Sequence, residues 1–104
     1  MLRDSRNFDR PTIQTYNTMR DIIIRQNLDI VFSDKSSGTI KAKTETVYLF
    51  FGGIAYSFTV AEISKQHSQV TINSASDISK SKFDSFAKQF FSAMDKQFPM
   101  FTGE

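Results

Sequence analysis

Residues 79–98 read SKSKFDSFAKQFFSAMDKQF, and this stretch decides the fold that the sequence predicts. Its apolar residues recur at steps of three and four, which at about 3.6 residues per turn places them on one broad stripe of a helix. The stripe consists of Phe83, Phe86, Ala87, Phe90, Phe91, Met94 and Phe98. A helix face so wide and so aromatic must be buried against an element of comparable area, and the middle of the chain offers a sheet for that purpose.

The composition excludes several classes of site. The chain has 104 residues, the usual size of one domain, and we expect residues 9–104 to form that domain after a flexible lead of residues 1–8. The formal net charge of +2 is too small to indicate a polyanionic partner. No cysteine is present, so a disulfide framework, a thiolate metal site and a thiol nucleophile are excluded.

Neither end of the sequence nor its apolar middle indicates a membrane segment. The amino terminus, MLRDS, lacks the apolar run of a signal peptide. A complete chain would be cytoplasmic, whereas a chain from which a leader was trimmed would belong to the cell envelope, and both remain open. Residues 46–61 carry no charge, but this run is shorter than the ~20 residues of a spanning helix and Gly52-Gly53 divides it.

A first helix and four strands precede the aromatic helix. Asp9 as a cap and Pro11 in the first turn predict a helix over 11–26, which Asn27 ends in the left-handed conformation. Alternation of apolar and polar residues predicts strands at 28–33, 39–45, 56–61 and 69–74. The turn residues Asp34 and Gly38 join the first two strands, and two strands meet near Gly52-Gly53.

These elements predict an α+β fold. Short connections make the strands an antiparallel meander, so the fold is a two-layer sandwich in the order α-β-β-β-β-α, with the N- and C-terminal helices packed on one face of a four-stranded sheet. The packed face is expected to hold Leu28, Ile30, Phe32, Ile40, Ala42, Tyr56, Phe58, Val60, Val70 and Ile72. The wet face is expected to hold Lys41, Lys43, Ser57, Thr59, Gln69, Thr71 and Asn73.

The runs DKSSGTIKAKT at 34–44 and VTINSAS at 70–76, followed by a helix rich in Phe, carry a resemblance to known domains. They resemble small uncharacterised bacterial domains of the helix–strands–helix type, similar in outline to the C-terminal domains of the outer-membrane assembly lipoprotein C. The resemblance covers roughly residues 11–98. It implies a non-enzymatic domain, associated with the envelope, and it transfers no functional residue. The lack of a lipobox cysteine and of a leader in this sequence argues against the envelope.

No arrangement of residues indicates catalysis, a metal or a cofactor. His67 is the only histidine and lies in a predicted turn without an evident partner, so we interpret it as a surface residue. The carboxylates show no spacing typical of metal ligands, and the glycines do not form a phosphate-binding loop. We therefore expect no catalytic residue, no metal, no cofactor and no enzymatic activity.

Two segments are candidate binding sites. Tyr48, Phe50 and Phe51 belong to a strand, 47–51, that has more apolar bulk than one buried face can cover, so we expect a partner-binding surface there unless the last helix or the tail covers it. The residues Ser79, Lys80, Ser81 and Lys82 combine hydroxyls and cations at a helix N-terminus and are a candidate anion-binding site; the alternative is a plain cap with solvated lysines.

The function that these observations favour is a protein-interaction or scaffold module. It would present either strand 47–51 or the wet sheet face to another protein or, as a homodimer, to its own copy. The alternative is a binder of a small apolar or anionic ligand, with an apolar ligand held between the Phe stripe and the sheet. Nucleic-acid binding through Lys41 and Lys43 is disfavoured, because the charge is modest and the wet face lacks paired aromatic residues on which bases would stack.

Overall fold

A computed structural model describes residues 2–44, 54–74 and 78–98. The helices and strands in these residues are β1 (Arg3–Phe8), α1 (Thr12–Arg25), β2 (Asp29–Asp34), β3 (Thr39–Lys43), β4 (Ala55–Ser64), β5 (His67–Ser74) and α2 (Lys80–Gln97). They form one antiparallel sheet in the order β1-β5-β4-β3-β2, with two helices. The α+β class, the antiparallel sheet and the two helices are therefore confirmed.

The sheet has five strands, and the prediction of four is wrong. The additional strand is β1, which occupies residues that were expected to be a flexible lead. It pairs with β5 along its whole length, from Arg3 opposite Asn73 to Phe8 opposite Ser68. Of its six residues only Phe8 is buried, so the strand has no apolar alternation from which it could be recognised.

The two helices begin and end close to the predicted residues. Helix α1 begins after Pro11, which occupies the cap position without a side-chain hydrogen bond, so the expected cap at Asp9 is wrong. Asn27 has a φ of 60°, the left-handed conformation expected after the helix. Helix α2 begins after Ser79, whose Oγ accepts a hydrogen bond of 3.2 Å from the backbone N–H of Lys82.

A bulge in β2 changes the face on which Phe32 lies. Ile30 pairs with Ala42, but Phe32 rather than Val31 pairs with Lys41, so one extra residue interrupts the alternation. Phe32 consequently shares the outer face with Lys41 and is 49% exposed. The prediction that Phe32 belongs to the packed face is wrong for this reason.

The core lies between the sheet and the two helices. Phe90 of α2 packs on Phe58 of β4 with ring centroids 4.9 Å apart, and Phe8 of β1 packs on Phe91 at 6.2 Å. An ion pair of 2.6 Å between Arg6 and Asp95 lies beside the second contact. The buried apolar residues are Phe8, Tyr16, Met19, Ile22, Ile23, Leu28, Ile40, Ala42, Tyr56, Phe58, Val60, Val70, Ile72, Phe83, Ala87, Phe90, Phe91, Met94 and Phe98. The Phe stripe of α2 is thus buried as its sequence predicted, except for Phe86, which is partly buried.

Candidate functional site

One end of the fold gathers apolar side chains that are only partly buried. At this end β3 ends, β4 begins, β5 ends and β1 begins, because the strands are antiparallel. We call it the open end and define it by Leu2, Ile30, Ile54, Tyr56, Ile78 and Phe86. Tyr56 is the buried member, and the other five are partly buried against the core.

Backbone pairing explains why these residues meet. Ile30 is opposite Ala42, Ala42 is opposite Tyr56, and Tyr56 is opposite Ser74, so one row crosses four strands on the helix-facing side. The row continues to β1, where the N–H of Ser74 donates to the carbonyl of Leu2 at 2.9 Å. The open end is therefore the last inward row of the sheet.

Hydrogen bonds to Thr44 place Ile54 beside this row. The backbone N–H of Thr44 donates to the carbonyl of Ile54 at 2.9 Å. In return, the N–H of Ile54 donates to the Thr44 hydroxyl at 2.8 Å. These two bonds fix the start of β4 against the end of β3, so Ile54 is held at the edge of the open end.

Tyr56 and Phe86 form the centre of the open end. Their rings are parallel within 7° and their centroids are 4.1 Å apart. Phe58 and Phe83 surround the pair, with centroids 6.1 and 6.5 Å from that of Tyr56. Stacking of this kind stabilises the contact by about 0.5–1.5 kcal/mol beyond the burial of area. Since Phe86 remains partly exposed, an aromatic surface is accessible next to a fully packed interior.

The hydroxyl of Tyr56 is the polar group of this site. Tyr56 is only 4% exposed, and its hydroxyl has no hydrogen-bond partner among residues 2–44, 54–74 and 78–98. Burial raises the pKa of Tyr56 above its ordinary value, so the phenol keeps its proton at neutral pH. The hydroxyl oxygen itself is not fully enclosed, so it can donate a hydrogen bond to water or to a ligand oxygen.

The four residues of the predicted anion site lie together on the first turn of α2. The Ser79 oxygen serves as the helix cap, and Lys80 Nζ donates to Asp84 Oδ2 at 2.6 Å. This hydrogen bond raises the pKa of Lys80. Ser81 and Lys82 are exposed beside them. The structure thus assigns a capping role to Ser79 and an intrahelical partner, Asp84, to Lys80. Anion binding at this turn stays a prediction.

The predicted partner surface cannot be located in the same way. Tyr48, Phe50 and Phe51 lie outside the described residues, so their role also stays a prediction. Among the residues that the structure describes, no group of three or more His, Cys, Asp or Glu residues could hold a metal ion. No helix in this part of the chain is long and apolar enough to cross a membrane.

His67 has partners that the sequence did not reveal. Its Nδ1 lies 2.8 Å from the Ser64 hydroxyl and its Nε2 lies 3.3 Å from Asp9 Oδ1. The order resembles a hydrolytic Ser-His-Asp chain, but the His67 and Asp9 side chains are 52% and 86% exposed. Hydrogen bonds so accessible to water provide little orientation or activation. The chain of contacts ties the β4–β5 turn to the segment before α1.

Sequence reasoning placed Tyr56 and Phe86 correctly in the core but missed their functional interest. The only available signal was a single phenol among the otherwise aliphatic and Phe residues of the inward-facing set. Its stacking on the partly exposed ring of Phe86 depends on tertiary packing and cannot be read from residue spacing.

Comparison with known proteins identifies the fold and not a family. No protein-family model and no curated protein sequence matches the chain. Solved structures of similar fold include two di-domain aromatase/cyclases, StfQ from the steffimycin biosynthetic pathway and BexL from the BE-7585A biosynthetic pathway. StfQ gives a TM-score of 0.71 at 6% identity over 92% of this chain and 44% of its own. BexL gives 0.66 at 11% identity over 100% of this chain and 48% of its own.

A third structure of similar fold is of comparable length. The Zhui aromatase/cyclase from Streptomyces sp. R1128 gives a TM-score of 0.52 at 7% identity, over 92% of this chain and 84% of its own. This chain spans less than half the length of the two di-domain proteins. At such low identities the likeness concerns the fold, which resembles a helix-grip fold in which a sheet holds a long C-terminal helix.

These comparisons overturn two expectations. The resemblance to domains of the outer-membrane assembly lipoprotein C is wrong, because the similar solved structures are aromatase/cyclases. The expectation that the chain is not an enzyme is also wrong, because the absence of clustered catalytic residues does not exclude catalysis on a fold that enzymes use.

Proposed function

We propose that this chain binds a small, mainly apolar ligand at the open end, between the N-terminal half of α2 and the last inward row of the sheet. The observation that carries the proposal is the parallel stack of Tyr56 on the partly exposed ring of Phe86, which places one hydroxyl donor beside an accessible aromatic face. Binding sites for small molecules commonly combine apolar and aromatic walls with few polar groups that orient the ligand.

The chemistry of the walls limits the class of ligand. Leu2, Ile30, Ile54 and Ile78 offer only aliphatic contact at the open end. Phe86 offers the face of an aromatic ring, and Tyr56 offers one O–H donor. The ligand that fits is an aromatic or polyenic molecule with one hydroxyl or carbonyl oxygen directed at Tyr56. The similar fold of the aromatase/cyclases supports this class of ligand without identifying it.

Catalysis on such a ligand is the second candidate function, and Tyr56 favours it. A phenol whose pKa is raised by burial keeps its proton and cannot act as a base at neutral pH. It can donate a hydrogen bond to a carbonyl oxygen and stabilise the negative charge that develops there during enolisation or ring closure. This chain would then act on a carbonyl-bearing substrate, as a unit about half the length of the di-domain enzymes.

The hypothesis of an interaction module receives less support. It rests on strand 47–51, about which the described residues say nothing. The wet sheet face, its other candidate surface, is composed mainly of polar side chains. Small-ligand binding explains the described geometry better, and we therefore retain partner binding through Tyr48, Phe50 and Phe51 only as a prediction.

Two variants and two probes test ligand binding at the open end. The probes are 2-naphthol and naphthalene, which share an aromatic body and differ in one hydroxyl. We expect Phe86→Ala to weaken binding of both probes by about tenfold, because the stacking surface is lost. Tyr56→Phe should weaken binding of 2-naphthol by about three- to tenfold and leave naphthalene unaffected, because only the hydrogen bond is removed.

The matched control is Ile63→Ala, which truncates a residue that is 54% exposed and lies toward the opposite end of β4. It should leave the binding of both probes unchanged. Affinities are measured by ligand-detected NMR titration, with far-UV circular dichroism confirming that each variant is folded. Equal affinities of 2-naphthol for wild type, Phe86→Ala and Tyr56→Phe would refute the proposal.

A further inference from the structure

A groove of about 530 Å³ lies over the outer face of the sheet, the face that points away from both helices. Arg3, Asn73, Ser57 and Lys41 line it and are successive Cα partners on β1, β5, β4 and β3. Their side chains therefore form one row across four adjacent strands. The inward-facing Ala42 and Tyr56 also line the groove, so it borders the open end at Tyr56.

The two ends of the row are cationic. Arg3 and Lys41 are three strand spacings apart, which is roughly 14 Å between their backbones. Neither forms an ion pair with another residue in the described ranges, and none of the described lining residues is acidic. The nearby outward carboxylate of Asp29 has Lys43 as its Cα partner. Within residues 2–44, 54–74 and 78–98, the groove thus presents two positive charges that no ion pair neutralises.

The floor between the cations offers free hydrogen-bonding groups. The side chains of Ser57 and Asn73 are partly buried and make no hydrogen bond to another described residue. The neighbouring pairs on the same face of β1 and β5 are satisfied by each other: Ser5 bonds Thr71 at 2.8 Å, and Gln69 donates to Asn7 at 3.1 Å. The row that lines the groove is therefore distinguished from the adjacent rows by its unpaired donors.

Apolar groups complete the groove. Val31, which the bulge in β2 places on this side, is 60% exposed, and Ala55 lies at the start of β4. The ring of Phe32 lies 5.7 Å from Lys41 Nζ and holds this ammonium beside the groove. A ligand here would find charge and hydrogen-bond donors on the row and apolar contact at its side.

We propose that this groove is a second binding site, for a small organic anion whose carboxylate or phosphate group lies over Ser57 and Asn73 between Arg3 and Lys41. The apolar body of the ligand contacts Val31 and Ala55. Guanidinium, ammonium, hydroxyl and amide donors are the groups that bind anionic oxygens in proteins. Its polar row of Arg3, Asn73, Ser57 and Lys41 lies on the outer face of the sheet, whereas Phe86 lies on the helix-facing side, and Tyr56 borders both sites.

The test uses three probes with the same aromatic body: 2-naphthoate, 2-naphthyl phosphate and the neutral 2-naphthol. We expect the two anions to shift the amide signals of Ser57 and Asn73 in ¹⁵N–¹H spectra, and 2-naphthol to leave them unshifted. Tighter binding of 2-naphthyl phosphate would identify a phosphate ester as the ligand class. Equal or tighter binding of 2-naphthoate would identify a carboxylate.

Charge-removing variants make the test specific. Arg3→Gln and Lys41→Gln should each weaken binding of the tighter anion by about fivefold, while Lys88→Gln, at an exposed position of α2, should change it less than twofold. Arg3→Gln and Lys41→Gln should leave the binding of 2-naphthol unchanged. A negative result for anion binding at this groove is therefore distinguishable from a negative result for ligand binding at the open end. Equal weakening by Lys88→Gln, or anion-induced shifts confined to the open end, would overturn the proposal.

Discussion

Truncation of Phe90 to alanine probes the packing of α2 on the sheet. Phe90 is 0% exposed, and its ring contacts Phe58 at 4.9 Å and Phe86 at 6.0 Å. A buried aromatic side chain removes roughly 150–250 Å² from water, and each Å² stabilises the fold by about 25 cal/mol. Including the cavity that remains, we expect Phe90→Ala to lower the free energy of unfolding by about 3–5 kcal/mol. This is a large fraction of the ~5–15 kcal/mol typical of a domain.

The matched comparison is Phe86→Ala on the same helix. Phe86 is only partly buried, so its truncation should cost about 2 kcal/mol, most of it through the lost stack with Tyr56. Both variants are measured by urea unfolding monitored by far-UV circular dichroism, with the slope against denaturant compared with wild type. If Phe90→Ala does not fold, Phe90→Leu provides a smaller loss of the same sign. A loss at Phe90 no greater than that at Phe86 would refute the described packing.

Three further perturbations test local features of the structure. Gly38 has a φ of +71°, and a Cβ at this position would collide with the carbonyl oxygen of Val60. Gly38→Ala should therefore lower the thermal midpoint of unfolding by several degrees, and an unchanged midpoint would contradict the described turn. Ser79→Ala removes the cap of α2 and should cost about 1 kcal/mol in urea unfolding, with Ser79→Asp restoring most of it, and equal stability of all three would exclude the cap. Because burial raises the pKa of Tyr56, the unfolded state releases the phenolic proton at a lower pH than the folded state does. The stability contributed by the neutral phenol is therefore present below about pH 10 and decreases above it. Urea unfolding at pH 9, 10 and 11 should show a smaller decrease for Tyr56→Phe than for wild type; equal decreases would refute the assignment.

The sequence predicted those elements that a repeating pattern determines. Helix α2 was recognisable because its apolar residues follow the helical period over five turns and Ser79 caps it. The hairpin of β2 and β3 was recognisable because Gly38 and Asp34 are turn residues between alternating segments. In both cases the local preference and the tertiary structure favour the same conformation, so sequence reasoning was sufficient.

Features that depend on tertiary pairing were not predictable. Strand β1 is an edge strand with five exposed residues, and its backbone pairing with β5 leaves no mark on the residue pattern. The bulge after Ile30 reverses the face of Phe32, which simple alternation assigns to the core. A periodic pattern cannot show an inserted residue, because either face of an edge strand tolerates an aromatic side chain.

The candidate sites were even less accessible from the sequence. The open end exists because one end of each of the five strands, the start of α2 and Leu2, which precedes β1, meet at one end of the fold. The outer groove exists because Arg3 and Lys41, 38 positions apart in sequence, are brought into one row by the order of the strands. Residue types alone indicated neither site, since the side chains of each come from several different elements.

The measurement that tests the central claim most directly is a set of intermolecular nuclear Overhauser effects between 2-naphthol and isoleucine methyl groups. Ile30, Ile54 and Ile78 lie at the open end, whereas Ile13 and Ile63 are exposed elsewhere, at 57% and 54%. Ligand binding at the open end predicts contacts from the naphthol protons to the first three residues and none to the last two. Contacts confined to Ile13 or Ile63, or no contact with any of the five at saturating ligand, would contradict the account.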